Sequence, residues 1–448
     1  MRAPGGISAY GRQKFDGSVL SIWQLFFTTQ LLDLTVECTN DKAKCENTNF
    51  VTNRIEILKF IGVSILIGVY KGRGEPIRAL WSRNEGRQFI SQFLSRSRFD
   101  LITKFLRFDT TSARRNTRES SKFAPMGCIF EMWEQTLARP FIPFAYVTVD
   151  ETLVAFRGRC SFRQYMPSKP AKYGLKFWTL CDAATGYCLR MKPYLGKETG
   201  NNSARAVGLG EKVVLQLTEK LDVGRSVVTD NFFSSMSLLK KLKERSLGFI
   251  GTMRKCRREI PPEFVSKHAE CGSSLFGFHA DATLVSYAPK KNKRVVLISS
   301  EHAKPDVDEH SQKPEIILSY NKGKGGVDHL DQMCAAYTTR KRTLRWPKCV
   351  FQHMIDVTAY NCFVLWCFLT GQEKLRRRQF LKMLGAQMCG GDIDDHGNIC
   401  LQTQAIPIPK TGTRTRCRKC RNNKTVQRCQ SCLQPLCINC ACYTCPQC

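Results

Sequence analysis

Apolar residues recur at three- and four-residue spacings through the first third of the chain, which predicts helices there. Ser21–Leu34 and Arg54–Val69 carry the spacing most clearly, and Asn84–Arg107 and Cys128–Leu137 continue it more weakly. Arg107–Lys122 is polar and basic and reads as an exposed loop. The texture changes at Pro143. Tyr146–Phe156 (YVTVDETLVAF) is rich in β-branched and aromatic residues, a strand signal. Leu175–Cys181 and Tyr187–Tyr194 read as a strand pair joined by a hairpin turn at Asp182–Gly186. A helix over Val207–Leu221, a short strand Arg225–Asp230 and a helix Ser234–Arg245 follow. Strands first and alternation afterwards predict an α/β layer with a mixed sheet. Thr252–Pro314 is basic, strand-poor until Arg294–Ser299 and broken by Pro261-Pro262 and Gly272, so it reads as an insertion. Glu315–Tyr320 reads as a strand, and the chain after Gly323–Gly326 as helical through Thr370. Cys389–Arg416, rich in Gly, Thr and Pro, reads as a linker.

Composition narrows the partners. A chain of 448 residues, 42% hydrophobic and 24% charged, has room for about two or three folded domains. Its net charge of +31 points to a polyanion. A membrane is excluded as a spanned medium, because Ile55–Tyr70 is interrupted by Glu56 and Lys59 and Cys362–Leu369 is too short. Lys322-Gly-Lys-Gly-Gly326 lacks the spacing of a nucleotide-binding P-loop, and seven His give little support to a His-centred hydrolase.

Against that basic background the acids are informative. Asp150 sits inside an apolar strand, where a carboxylate costs several kcal/mol unless a cation compensates it. Asp230 ends a second apolar strand, where α/β sheets place their ligands. Asp328 and Asp331 share a helical face. Carboxylates from two strands and a helix can hold two Mg²⁺ ions about 4 Å apart, the arrangement that cleaves phosphodiesters. Structural alternatives exist for each: helix N-caps for Asp230 and Asp328, a buried Arg partner for Asp150. Glu151, on the opposite face, reads as solvated, and Asp182 as a turn residue. Cations surround these acids: Arg157, Arg159, Arg163, Lys169, Lys172 and Lys176, then Arg340, Lys341, Arg342, Arg345 and Lys348 around Trp346. A Trp among cations can stack an unpaired base while they hold phosphates; the alternative is a Trp packed on the core.

The last 32 residues hold nine of the 23 cysteines. Eight form four C-x₂-C pairs: Cys417/Cys420, Cys429/Cys432, Cys437/Cys440 and Cys445/Cys448. That is the ligand count of two structural Zn²⁺ sites in a tail too short for its own core. Disulfides need an oxidising compartment, and Met1-Arg-Ala-Pro-Gly-Gly6 has no apolar signal segment. Sequential and interleaved wirings both satisfy the spacing, with Cys442 spare in either. From Leu401 onward the tail carries eight Lys/Arg and no acid, which suits phosphate binding.

Val149-Asp-Glu151, Val228-Thr-Asp-Asn-Phe-Phe-Ser-Ser235 and Tyr320-Asn-Lys-Gly-Lys-Gly-Gly-Val-Asp-His-Leu-Asp-Gln-Met333 resemble the three acidic blocks of piggyBac-type DNA transposases. Leu25–Leu34, Phe99–Asp109, Arg345-Trp346-Pro347 and the cysteine tail are similar too, so the resemblance runs from about Asp16 to Cys448. It implies an α/β, RNase H-like catalytic domain with an insertion, a helical DNA-binding and dimerisation domain, and a C-terminal cross-brace zinc module. The implied boundaries are residues 16–140 and 346–388 for the helical domain and 141–251 and 315–345 for the catalytic core. Residues 252–314 form the insertion, 389–416 the linker and 417–448 the zinc module. The resemblance maps an acidic triad to Asp150, Asp230 and Asp328, with Asp331 as a fourth required carboxylate, and places Trp346 beside a transposon end. It implies two catalytic Mg²⁺ and two structural Zn²⁺, interleaved cysteine wiring, cleavage through hairpins, and insertion at TTAA. Double-stranded DNA with terminal inverted repeats, a homodimer and a nuclear location are expected with it. Two departures stand out. The usual long acidic leader is missing, which reads as a truncated or domesticated copy, and Cys440 stands where the family often has His. A domesticated DNA-binding protein without transposition is the competing expectation. A RING-like ubiquitin ligase is the third, weighed against by the tail's basic loops.

Overall fold

The computed structural model describes residues 4–117, 121–196, 208–266, 269–372, 374–394, 398–401, 410–417, 421–427 and 435. The chain divides into two units, Met1–Ile399 and Cys400–Cys448.

The main helices in the first third of the first unit are α1 (Val19–Gln24), α2 (Thr29–Cys45), α3 (Arg54–Val69), α4 (Arg96–Phe105) and α5 (Gly127–Leu137). Ser18, Thr28, Asn53 and Ser95 start the first four. Each side-chain oxygen accepts the backbone N–H three residues on, a cap that contributes about 1 kcal/mol. Every residue of α3 from Phe60 to Val69 is buried, as an all-round apolar helix requires. The polar stretch read as a loop contains a short helix, Thr111–Thr117.

The middle of the unit is one nine-stranded sheet. Its strands are β1 (Tyr146–Ala155), β2 (Gln164–Tyr165), β3 (Tyr173–Asp182), β4 (Cys188–Pro193), β5 (Ser226–Thr229), β6 (Gly248–Thr252), β7 (Ser274–His279), β8 (Ala282–Lys290) and β9 (Lys293–Ser299). The order is β2-β3-β1-β5-β6-β9-β8-β7, with β4 also paired to β3. β1 runs antiparallel to β3 from Val147↔Asp182 to Ala155↔Gly174, but parallel to β5, and β5 runs parallel to β6. Parallel neighbours need crossovers, and helices α6 (Leu209–Leu217) and α7 (Met236–Glu244) lie in the segments before and after β5. The sheet is mixed, as the sequence predicts.

Two expectations fail. Residues 252–314 are not strand-poor before Arg294: β7 and β8 precede β9, and the three extend the sheet beyond β6. β7 is an edge strand with Leu275 and Phe278 exposed, which dilutes the apolar signal, and Pro289 interrupts the pattern of β8. Glu315–Tyr320 is not a strand but the start of helix α8 (Glu315–Gly323). Its buried positions Ile316, Ser319 and Gly323 recur every three to four residues, and Glu315 favours a helix first turn.

Helices α9 (Gly326–Ala336), α10 (Trp346–Thr370) and α11 (Arg377–Met388) complete the unit. All of α10 from Lys348 to Cys362 is buried. Its Asn361 side chain accepts from Cys188 N–H and donates to Cys188 C=O, both at 2.9 Å, supplying β4 with the partner of a missing strand. Thr358 accepts the indole N–H of Trp133 at 2.8 Å, and Phe351 packs on Phe27 and Phe108. Helix α10 thus ties the N-terminal helices to the sheet. No described helix is long and apolar enough to cross a membrane.

In the second unit Lys410–Arg416 pairs antiparallel with Lys424–Gln427. The buried Cys417 follows at the turn, its N–H donating to Asn423 C=O and its C=O accepting from Arg421 N–H, both 2.8 Å. Cys420, Cys429, Cys432, Cys437, Cys440, Cys445 and Cys448 lie outside the described residues.

Candidate active site

Thr148, Asp150 and Thr152 alternate along β1 and so share one face of a strand that is apolar apart from them and Glu151. Helix α9 packs on β1. Thr148 Oγ1 accepts the N–H of Gly326, the first residue of α9, at 3.1 Å, and donates to the C=O of Gly323 at 2.6 Å. One hydroxyl therefore pins the end of α8 and the start of α9 to the strand. Thr152, further along, accepts from Thr179 Oγ1 at 3.2 Å and pulls the pKa of Asp331 down. The two threonines bracket Asp150. Close approach needs the glycines: a Cβ on Gly326 would lie 2.7 Å from Thr148 Oγ1, and one on Gly323 would lie 2.4 Å from Val228 Cγ2.

Asp230 arrives from the neighbouring strand. The parallel register pairs Val149 with Thr229, so Asp150 and Asp230 occupy the next position on each chain. Asp230 does not cap α7; Ser235 does, through its bond to Leu238 N–H. One Asp230 oxygen accepts Phe232 N–H at 2.8 Å. Asp328 is not an N-cap either, since Gly325 holds that position; its side chain is 73% exposed. Among the described residues Asp150 has no Arg partner, and its carboxylate accepts the N–H of Glu151 at 2.8 Å.

Lys169 stands among these groups. Its ammonium donates to Glu151 C=O at 3.0 Å, lies 3.8 Å from Asp328 and acts electrostatically on Asp150 and Asp331. It does not neutralise them. Burial, then the charge of Glu151, pushes Asp150 up to about 8. Burial likewise raises Asp230, and it pushes Asp331 up to about 6 against the opposing pull of Lys169. Such carboxylates are short of positive charge, and their chemistry fits a hard divalent cation with oxygen ligands. As they stand, no three His, Cys, Asp or Glu side chains among the described residues form one compact ion cage.

Asp328, Asp331 and Lys169 line a cleft of about 1240 Å³ whose other wall is the basic segment Arg340–Leu344. Within that segment and at the adjoining Arg345 the cations divide. Arg340 bonds Thr338 Oγ1 at 3.1 Å and lies 3.7 Å from the buried Asp356. Lys341 donates to Gly72 C=O and Glu75 C=O at 2.9 and 2.7 Å. Arg345 donates to Thr103 and Lys104 carbonyls at 2.9 and 3.1 Å and to Leu106. Arg342 and Lys172 are exposed. Trp346 is half-buried, stacked on Phe123 at 5.5 Å and met edge-on by Phe162 at 5.0 Å.

A family model described as Transposase IS4 matches residues 19–363, the span that contains all four aspartates. The human PiggyBac transposable element-derived protein 3 is 27% identical over 94% of this chain and 75% of its own length. The human PiggyBac transposable element-derived protein 2 is 24% identical over 78% of this chain and 61% of its own. A cryo-EM structure of a piggyBac transposase synaptic complex with hairpin DNA superposes with a TM-score of 0.81, at 29% identity, over 100% of both chains. The chain belongs to the piggyBac-type transposase family. The solved structure that this piggyBac-type chain matches is a complex with hairpin DNA.

Sequence reasoning missed Thr148 and Thr152. Their signal was present: three polar side chains at every second position of an apolar strand mark a face that meets something other than core. It also missed the structural task of Asp182, which is fully buried and accepts from Phe144 N–H, Thr185 N–H and Thr185 Oγ1 at 2.7–2.8 Å. Being next to a turn, it read as ordinary.

Proposed function

We propose that this chain is a DDD-type transposase that cleaves DNA and transfers strands at transposon ends, with preference for TTAA targets. The observations that carry the reading are the adjacent places of Asp150 and Asp230 on two parallel strands, and the helix packed on the first of them, whose Asp328 and Asp331 line a basic cleft. In this reading Asp150, Asp230, Asp328 and Asp331 hold two Mg²⁺. The ions, when bound, would activate the attacking oxygen and stabilise the leaving one. The chain's own part is positional. Thr148 pins the start of α9 to β1, so the Asp328 and Asp331 carboxylates are set relative to Asp150 before substrate arrives. Lys169 supplies positive charge next to Asp328 and Asp150, and Arg342 and Lys172 offer exposed cations to phosphates. Terminal inverted repeats of double-stranded DNA as substrate, a homodimer, a nuclear location, an RNase H-like core and two Zn²⁺ in the cysteine tail belong to the same proposal. Support comes from the family, from the DNA in the matched complex, and from the spacing of the eight cysteines.

The test is cleavage of hairpin or nicked DNA made from the inverted repeats flanking the gene, with Mg²⁺. Asp150→Asn should abolish cleavage while the circular dichroism and melting of the protein stay native. Unchanged cleavage by that variant rules the assignment out.

A further inference from the structure

Two large aromatic rings sit exposed beside the site, and nothing in the proposed chemistry uses them. Tyr165 and Tyr173 face each other across the β2–β3 pair, ring centroids 4.8 Å apart, yet they are 57% and 41% exposed. A cross-strand aromatic pair stabilises a short edge strand. That alone does not account for its place. Tyr173 lines the same cleft as Asp328 and Asp331. The turn joining the two strands is closed by Met166 N–H to Lys172 C=O (2.7 Å) and Lys172 N–H to Lys169 C=O (3.0 Å). One hairpin therefore carries the ring pair on its arms and, at its tip, the lysine that reaches Glu151 and Asp328. The Arg163 guanidinium lies 5.4 Å from the Tyr173 ring, and Arg157, Arg159 and Lys172 are exposed nearby in the chain. Trp346, the ring expected to stack on DNA, already has its face on Phe123.

We propose that Tyr165 and Tyr173 form a stacking platform for unpaired bases of a DNA strand entering the acidic cleft. Exposed rings with interleaved cations bind single strands because every base offers a π-face and every nucleotide a phosphate. The inference rests on the transposase reading for the identity of the polymer, but its test reads binding alone. The full-length Asp150→Asn chain is titrated with a blunt duplex and with the same duplex bearing a short single-stranded overhang that contains 2-aminopurine. Tyr165→Leu and Tyr173→Leu should each weaken overhang binding by roughly 5- to 150-fold, the range for losing one base stack. They should also abolish the fluorescence quench and leave blunt-duplex affinity unchanged. Tyr165→Phe and Tyr173→Phe should keep the parent behaviour. Equal losses on both duplexes, no loss on either, or Phe variants as weak as the Leu variants would each overturn the platform. Failure of the nuclease reading shows up separately, as cleavage that survives Asp150→Asn.

Discussion

Arg345 and Arg342 stand three positions apart in one basic run, and the structure gives them opposite tasks. Arg345 donates to the carbonyls of Thr103, Lys104 and Leu106, at the C-terminal end of α4. These are the carbonyls a helix leaves without intrahelical partners, and they sit at the negative end of its dipole. Arg345→Met removes three bonds from a charged donor, each about 1.5–3 kcal/mol when deleted singly. The bonds share one side chain and water can reach some of the carbonyls, so the loss should total about 2–4 kcal/mol. Arg342 is exposed, and Arg342→Met should change stability by less than about 0.5 kcal/mol. Its loss should instead lower DNA affinity and reduce the slope of log K against log salt by about 0.9, one phosphate contact. Urea denaturation followed by circular dichroism measures the first quantity; anisotropy with fluorescent DNA over a salt series measures the second. If Arg345→Met unfolds at the same urea concentration as the parent and flattens the salt slope, Arg345 is a phosphate contact and the assignment to α4 is wrong.

Thr148→Val keeps the shape of the side chain but deletes its bonds to Gly323 and Gly326. It should cost about 1–3 kcal/mol and slow cleavage at saturating DNA with little change in DNA affinity; a variant that binds more weakly but turns over normally would show that α9 positions DNA rather than carboxylates. Lys348 is 8% exposed, and burial, reinforced by Arg345 and Lys341, holds it down at about 8 against an ordinary 10.5. A base depressed on folding destabilises fully below its folded value, and the penalty fades as pH rises from about 8 towards 10.5. Lys348→Met should therefore stabilise the protein at pH 7 by up to about 3 kcal/mol and flatten that rise in stability across pH 8–10. A parent whose stability does not climb over that window contradicts the buried charge.

The acids were readable in the sequence because they broke a rule that operates locally. A carboxylate inside YVTVDETLVAF conflicts with burial wherever the strand ends up, so Asp150 stood out before its neighbours were known. The adjacency of Asp230 was not readable, since it depends on the Val149↔Thr229 register set by two strands far apart in the chain. Helix α8 was misread because Glu-Ile-Ile-Leu-Ser-Tyr satisfies both periods over six residues, and only packing against the sheet chooses. The alternation marked a polar face at Thr148 but not what it holds, since its partners are two backbone groups about 175 positions away.

Cations posed the opposite problem. Their number is local information, but their task is decided by whichever carbonyl or carboxylate the fold brings within reach. Counted as sequence, Arg340, Lys341, Arg342 and Arg345 make a phosphate-binding cluster. In the fold, Arg340 stands by buried Asp356, Lys341 holds the Gly72–Glu75 turn and Arg345 closes α4, so of the four Arg342 alone is exposed. The three inward cations hold the cleft wall in place, and a rigid wall fixes where the exposed one meets a phosphate. Net charge of +31 therefore overstates the number of phosphate contacts this protein can make. A salt dependence counted from the sequence run should exceed the one measured, by about 0.9 in slope for each cation that the fold has already engaged.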